Sequence, residues 1–258
     1  MQVKNTYYWF KSVLTPDQCQ KIIDMGEQQL NNIKSKGGAT EATTFGSNHK
    51  QAFESKGKPA QAQEDKTIEE LRKENKDEKI ADKRYVRDSE VCWFNDDWLY
   101  ELIHPYVHKA NKDAGWKYQW DFSESFQFTK YNEGGFYGWH ADGNSCHLGK
   151  YKRFIPGVSP EKPEGGPMMG YTQHPEMVGK VRKLSLTLNL NKPDEYDGGN
   201  LKFDFGPHAD AKRFHECTEI RPQGSLIVFP SYVYHQVTPV TRGTRYSMVL
   251  WSLGKPFQ

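Results

Sequence analysis

The sequence predicts an α+β domain: helices early in the chain, then a β-rich body built as a sandwich or jelly roll. Three observations carry this. Residues 14–33 follow the grammar of a capped amphipathic helix. From about residue 118 onward, short strand-like runs alternate with Gly, Pro and Asp turns. Aromatic residues reach 14% of the 258, which suits strands around a crowded core.

In order along the chain, Thr15 is placed as an N-cap, Pro16 fits the first helical position, and Gln18 completes a capping box. Leu14 and Cys19 are spaced for a hydrophobic staple, and Cys19, Ile22, Ile23, Leu30 and Ile33 form an apolar stripe at helical spacing. This helix is expected to buttress a sheet. Residues 35–84 turn to Gly, Ser, Thr, Lys and Gln and read as a polar excursion, within which TIEELRKENKDEKIADK has the pattern of a solvated helix. RYVRDSEVCWF resumes strand composition. DDWLYELIHPYVHKANKDAG predicts a second helix, kinked or split at Pro105 and ending near Gly115. KLSLTLNLN is the best-defined strand: Leu184, Leu186, Leu188 and Leu190 alternate with Ser185, Thr187 and Asn189. A Gly198-Gly199 turn leads to the next strand, and FHECTEI, GSLIVFP and TRYSMVLWSL complete the series. A second polar excursion occupies 143–180. No internal repeat is visible, so residues 1–258 read as one domain with two excursions.

Net charge of +2 gives no case for a nucleic-acid partner. The four cysteines, Cys19, Cys92, Cys146 and Cys217, contain no C-x-x-C pair and read as reduced thiols of a cytoplasmic protein. The opening MQVKNTYYWFKSVL has no apolar run suited to a signal peptide or a membrane span.

His-Ala-Asp occurs twice, at His140–Asp142 and His208–Asp210. On an extended strand, residues two apart face the same way, so each pair could offer an imidazole and a carboxylate to one ion. With nine histidines in the chain, such a pair carries no weight alone. Context separates the copies. His208 follows Gly206-Pro207 and belongs to a hairpin loop. His140 follows an aromatic hairpin, and the path from it to His235 is long enough for several strands to turn and return. His140, Asp142 and His235 then supply two imidazoles and one carboxylate, a set that leaves positions open on Fe(II). Ten residues after His235, Arg245 enters the next strand and offers a permanently charged, bidentate clamp for a carboxylate. Arg242 precedes Gly243 and is expected in the turn. His147, His174 and His215 read as surface or loop residues.

The segments YNEGGFYGWHAD, LSLTLNLNKPDEYDGGNLKF and GSLIVFPSYVYHQVTPVTRGTRYSMVLW resemble the 2-oxoglutarate/Fe(II)-dependent dioxygenases. Within them the chain is similar to the prolyl-4-hydroxylase branch, including the PKHD-type hydroxylases, and FKSVLTPDQCQKIID and VRDSEVCWF resemble that branch's N-terminal region. The resemblance implies a double-stranded β-helix, or jelly-roll, core with iron at its open end and buttressing helices. It implies Fe(II) as cofactor, held by His140, Asp142 and His235, with 2-oxoglutarate as co-substrate and ascorbate as a further cofactor. Arg245 would bind the far carboxylate of 2-oxoglutarate, Ser247 would be a second contact to it, and Tyr131 would line the same pocket. The strand position at which some prolyl hydroxylases place a tyrosine on that carboxylate is matched to Leu188. Tyr137 and Trp139 flank the site as wall or substrate contacts.

The activity so implied is hydroxylation of an unactivated C–H bond, with release of succinate and CO2. The substrate expected is a prolyl residue in a peptide or protein, gripped by the two excursions. A free amino acid or small metabolite is the alternative, and a non-catalytic jelly-roll binding protein is the other. Trp251 stands where the nucleic-acid-repair branch generally carries a second arginine, which argues against that branch.

Overall fold

A computed structural model describes residues 5–44, 47–48, 87–142, 180–206 and 213–255. Most of both excursions lies outside the described residues, as do Cys146, His147, His174, His208 and Asp210.

Helix α1 spans Pro16–Ser35 and starts as its sequence dictates. The Thr15 hydroxyl accepts from the Gln18 amide at 3.2 Å, and the Gln18 side chain accepts from the Thr15 amide at 2.9 Å. Leu14, Cys19, Ile22, Ile23 and Leu30 enter one buried core cluster, with Ile33 packed at its margin. Helix α2, Asp97–Asp113, is continuous through Pro105, so of the kink or split the proline predicts the split does not occur. Pro105 and Glu101, whose carbonyl loses its donor, both lie on the exposed side, where water can replace the missing bond.

Two sheets dominate. One has the order β1 (Tyr8–Phe10), β13 (Leu226–Pro230), β9 (Val181–Asn189), β16 (Arg245–Gly254), β7 (Phe126–Tyr131) and β5 (Glu90–Phe94), with β6 (Phe122–Ser123) also on β16. The other has the order β12 (Phe214–Cys217), β11 (Leu201–Asp204), β14 (Tyr234–Val237), β8 (Phe136–His140) and β4 (Arg87–Asp88). β10 (Tyr196–Gly198) pairs with β15 (Val240–Gly243), and β2 (Thr43–Thr44) with β3 (Ser47–Asn48). All these pairings are antiparallel.

The larger sheet has two unlike faces. Leu184, Leu186, Leu188 and Leu190 of the β9 region pack with Phe126, Phe128, Met248 and Leu250 against Ile22, Leu99 and Ile103 of the helices. Fully burying one such leucine contributes about 1.5–3 kcal/mol, so this face fixes the helices to the sheet. The intervening residues form the second face. Ser185 stands opposite Trp251, Thr187 opposite Val249, and Asn189 opposite Ser247, while Arg245 stands opposite Tyr131. Leu188 is therefore not a pocket residue. Strand periodicity places it in the helix-side core, and the pocket-side positions of β9 are Ser185, Thr187 and Asn189.

Cys19, Cys92 and Cys217 are buried free thiols. Among the described residues, no helix is long and apolar enough to cross a membrane.

Candidate metal centre

β8 and β14 bring the distant ligands together. His140 and His235 are directly paired across the two strands, and the register slips between His235 and Val237. Such an irregularity re-aims side chains locally. Asp142 follows just after β8. One ligand atom from each of His140, Asp142 and His235 lies within 4.8 Å of the others. His140 Nε2 is 3.6 Å from Asp142 Oδ1, and His235 Nε2 is 3.5 Å from Asp142 Oδ2.

Both imidazoles are oriented by the same device. His140 Nδ1 lies 2.8 Å from the Gly138 carbonyl, and His235 Nδ1 lies 2.9 Å from the Val233 carbonyl. A carbonyl only accepts, so each Nδ1 carries the proton and each Nε2 presents its lone pair inward. Burial, with His140 close by, pushes His235 down to about 4. Burial opposes ionisation of Asp142, but the neighbouring His235, His140 and Arg182 outweigh it and hold its carboxyl well below the usual range. Neutral imidazole and ionised carboxylate are the protonation states a divalent cation requires. Two nitrogens and one oxygen, converging and hydrogen-bonded behind, fit an Fe(II) centre.

The sequence-predicted pocket residues line the adjoining wall. Arg245 is 2% exposed, donates to Ser247 Oγ at 3.2 Å, and keeps a buried Nε with no partner among the described residues. Its guanidinium carbon sits 5.3 Å from the centre of the Tyr131 ring. Gly199 makes room for it: a Cβ there would meet Arg245 Cδ at 2.8 Å, and its φ of +60° suits glycine. Tyr131 belongs to a cluster with Tyr196, Val237 and Tyr137, and the Tyr137 ring stacks on His140 at 3.6 Å. A buried cation with an unpartnered Nε, linked to His140 through Tyr131 and Tyr137, fits an anionic co-substrate carboxylate such as that of 2-oxoglutarate. Arg242, expected in the turn before Gly243, instead lies on β15 opposite Asp197, exposed and paired with its carboxylate. Trp139 packs against Phe214. His215, read from the sequence as a surface or loop residue, lies on β12 with its ring stacked on Tyr7.

Three residues at this site were missed by sequence reasoning. Ser185 Oγ donates to Asp142 Oδ2 at 2.8 Å and shares a 2.9 Å hydroxyl contact with Ser231. Its polar slot in the alternation LSLTLNLN was a usable signal. Arg87 is buried, bonds Ser89, Gln127 and Thr129, and lies over the Tyr137 ring. Arg182 forms a bidentate pair with Glu124 at 2.6 and 2.7 Å and lies over Trp251. Neither arginine had a sequence signal, because its partners are distant in the chain.

Residues 126–253 match the model of the 2OG-Fe(II) oxygenase superfamily. A PKHD-type hydroxylase of Xylella fastidiosa is 34% identical over 125 residues, covering 48% of this chain and 42% of that protein. One from Bordetella pertussis is 38% identical over 97 residues, covering 34% and 39%. The chain thus spans less than half the length of these curated relatives. Among solved structures, a Pseudomonas putida prolyl-4-hydroxylase superposes with a TM-score of 0.53 at 16% identity, covering 96% of this chain and 92% of that one. The viral collagen prolyl hydroxylase of Paramecium Bursaria Chlorella virus-1, in its 2OG complex, gives 0.52 at 15% identity, covering 97% of both. A Trichoplax adhaerens prolyl hydroxylase bound to a hypoxia inducible factor peptide fragment gives 0.52 at 14% identity, covering 96% and 84%. These likenesses speak to the fold, and the family match spans the strands that bear His140, His235 and Arg245. Residues 126–253 thus match the 2OG-Fe(II) oxygenase superfamily, and the curated relatives similar to this chain are PKHD-type hydroxylases.

Proposed function

We propose that this protein is an Fe(II)- and 2-oxoglutarate-dependent dioxygenase that hydroxylates an unactivated C–H bond of a prolyl residue in a peptide or protein. The observation that carries the reading is the convergence of the His140, Asp142 and His235 ligand atoms within 4.8 Å. Supporting it is Arg245, buried on the adjoining wall with a free Nε. The two sheets serve as the walls of a double-stranded β-helix, and residues 1–258 act as one domain.

Bound iron supplies the oxidising chemistry, coupling decarboxylation of 2-oxoglutarate to succinate and CO2 with hydroxylation of substrate. His140, Asp142 and His235 hold the ion. Gly138 and Val233 carbonyls lock the imidazoles, and Ser185 holds the carboxylate. Arg245 takes the far carboxylate of the co-substrate, with Ser247 and Tyr131 beside it. Tyr137, Leu201, Phe203 and Val237 exclude water around the centre. No protein acid–base pair or nucleophile is required.

The peptide reading draws on the relatives' class, since one structural neighbour holds a peptide fragment. Anaerobic addition of Fe(II) and 2-oxoglutarate should produce a visible charge-transfer band that is lost in His140→Ala, Asp142→Ala and His235→Ala. A band surviving in all three variants sinks the metal assignment. Proline-containing peptides should stimulate succinate release and gain one oxygen atom by mass spectrometry. Stimulation by a free amino acid or small acid, but by no peptide, would select the small-molecule reading. A metal-binding protein that releases no succinate would be the non-catalytic one.

A further inference from the structure

A second cluster of ligand-type side chains lies outside the centre just described. His215, Cys217 and Glu219 leave the end of β12 at alternate positions, and one ligand atom from each lies within 4.8 Å of the others. β12 is an edge strand of the five-stranded sheet. His140, His235, Phe203 and His215 occupy one register row across it. Two strand spacings separate His215 from His235, about 10 Å, so the second cluster cannot share an ion with the first.

The geometry around Glu219 is divided. Oε1 accepts from the Tyr7 hydroxyl at 2.8 Å and lies 3.1 Å from His215 Nε2. Oε2 is buried and accepts no hydrogen bond of good geometry, although the Cys217 thiol lies beside the carboxylate. Tyr7 stacks on His215 with ring centres 5.3 Å apart and on Phe203 at 5.6 Å, which fixes the imidazole plane. The Tyr7 hydroxyl also lies 3.0 Å from His215 Nε2, so a metal ion would take over the Nε2 contacts of His215 or use its Nδ1, with Glu219 Oε2 and the Cys217 sulfur on the same spot. The side chains of His215 and Glu219 are 36% and 24% exposed, so the spot opens to solvent while Cys217 is buried beneath it.

We propose that His215, Cys217 and Glu219 form a second metal site that takes a divalent cation of the zinc class, with water in the remaining position. A thiolate together with an imidazole favours zinc, whereas the sulfur-free set of His140, Asp142 and His235 suits Fe(II). One thiolate and one carboxylate would neutralise the ion, as a half-buried site demands. Binding displaces one proton, that of the Cys217 thiol, to solvent. Because Tyr7 holds Glu219, the ion would fasten the N-terminal segment to an edge strand more than two hundred positions away in sequence. The proposal is independent of the iron centre and of the hydroxylation reading.

The test uses the full-length, metal-free protein titrated with Co(II), followed by Zn(II). Wild type should develop a near-ultraviolet thiolate-to-cobalt charge-transfer band that saturates at one sulfur-ligated ion per chain and is bleached by Zn(II). The band should persist when His140 and Asp142 are both replaced by Ala. It should vanish in Cys217→Ser and fall sharply in His215→Ala and Glu219→Gln, the last keeping the size of the side chain. Zn(II) should raise the melting temperature of wild type but not of Glu219→Gln. No thiolate band in wild type, or a full band in Cys217→Ser, overturns the proposal. If Cys217→Ser fails to fold, an undiminished band in both His215→Ala and Glu219→Gln overturns it equally.

Discussion

Arg242 and Arg245 are three residues apart, on β15 and β16, and have opposite fates. Arg242 is a solvated ion pair with Asp197, and such pairs contribute little. Arg245 is buried with a donor to spare. A hydrogen bond to a charged group contributes about 1.5–3 kcal/mol. Arg245→Lys cannot reproduce the two-pronged contact, so the 2-oxoglutarate concentration needed for half-maximal succinate release should rise by about 10- to 100-fold. Arg242→Lys should leave it near wild type, and the reverse pattern would assign the clamp to Arg242. Ser185 acts through Asp142 and is a positioning residue. Losing a hydrogen-bond partner behind a metal ligand typically weakens metal binding by about 10- to 100-fold. Ser185→Ala should show that loss in Fe(II) titration, with Ser185→Thr closer to wild type if the hydroxyl is what matters. Unchanged iron affinity in Ser185→Ala would reduce the Ser185–Asp142 contact to packing.

Helix α1 and strand β7 meet where Gly26 faces Phe128. A Cβ on Gly26 would lie 2.4 Å from the Phe128 ring. Replacing a helical glycine with alanine normally stabilises by about 1 kcal/mol. Here the overlap reverses the sign, since overpacking a core costs about 1–3 kcal/mol. Gly26→Ala should lower the melting temperature and the urea midpoint, and a gain in either would mean that the helix shifts freely on the sheet. The same elements show how far the sequence was legible. The capping box of α1 and the alternation of β9 are local patterns, and both were readable at the right residues. Pro105 does not end α2 because the carbonyl that loses its donor, that of Glu101, lies on the exposed side where water can meet it. Leu188 was matched to a pocket although its own periodicity already placed it with the other leucines. His140, Asp142, His235 and Arg245 were readable because their order along the chain is a pattern. Arg87, Arg182 and Glu124 were not, because pairings such as Arg182 with Glu124 exist only once the sheet has formed. His215 looked solvated because nothing nearby in sequence announces Tyr7.

At the scale of the whole molecule, one continuous core joins both helices to the larger sheet. Unfolding by urea should therefore follow a single transition, with tryptophan fluorescence and far-ultraviolet dichroism coinciding. Two separated transitions would divide the chain into domains. The pairing of β8 with β14 has a further consequence, for timing. β11 and β12 are consecutive strands and β14 follows after one strand of the other sheet, but β8 must close a far longer loop to reach β14. His140 and Asp142 thus meet His235 only at a late step of chain assembly. A chain in which β8 and β14 have not yet paired lacks the full ligand set, so three-ligand binding of an ion waits on that pairing.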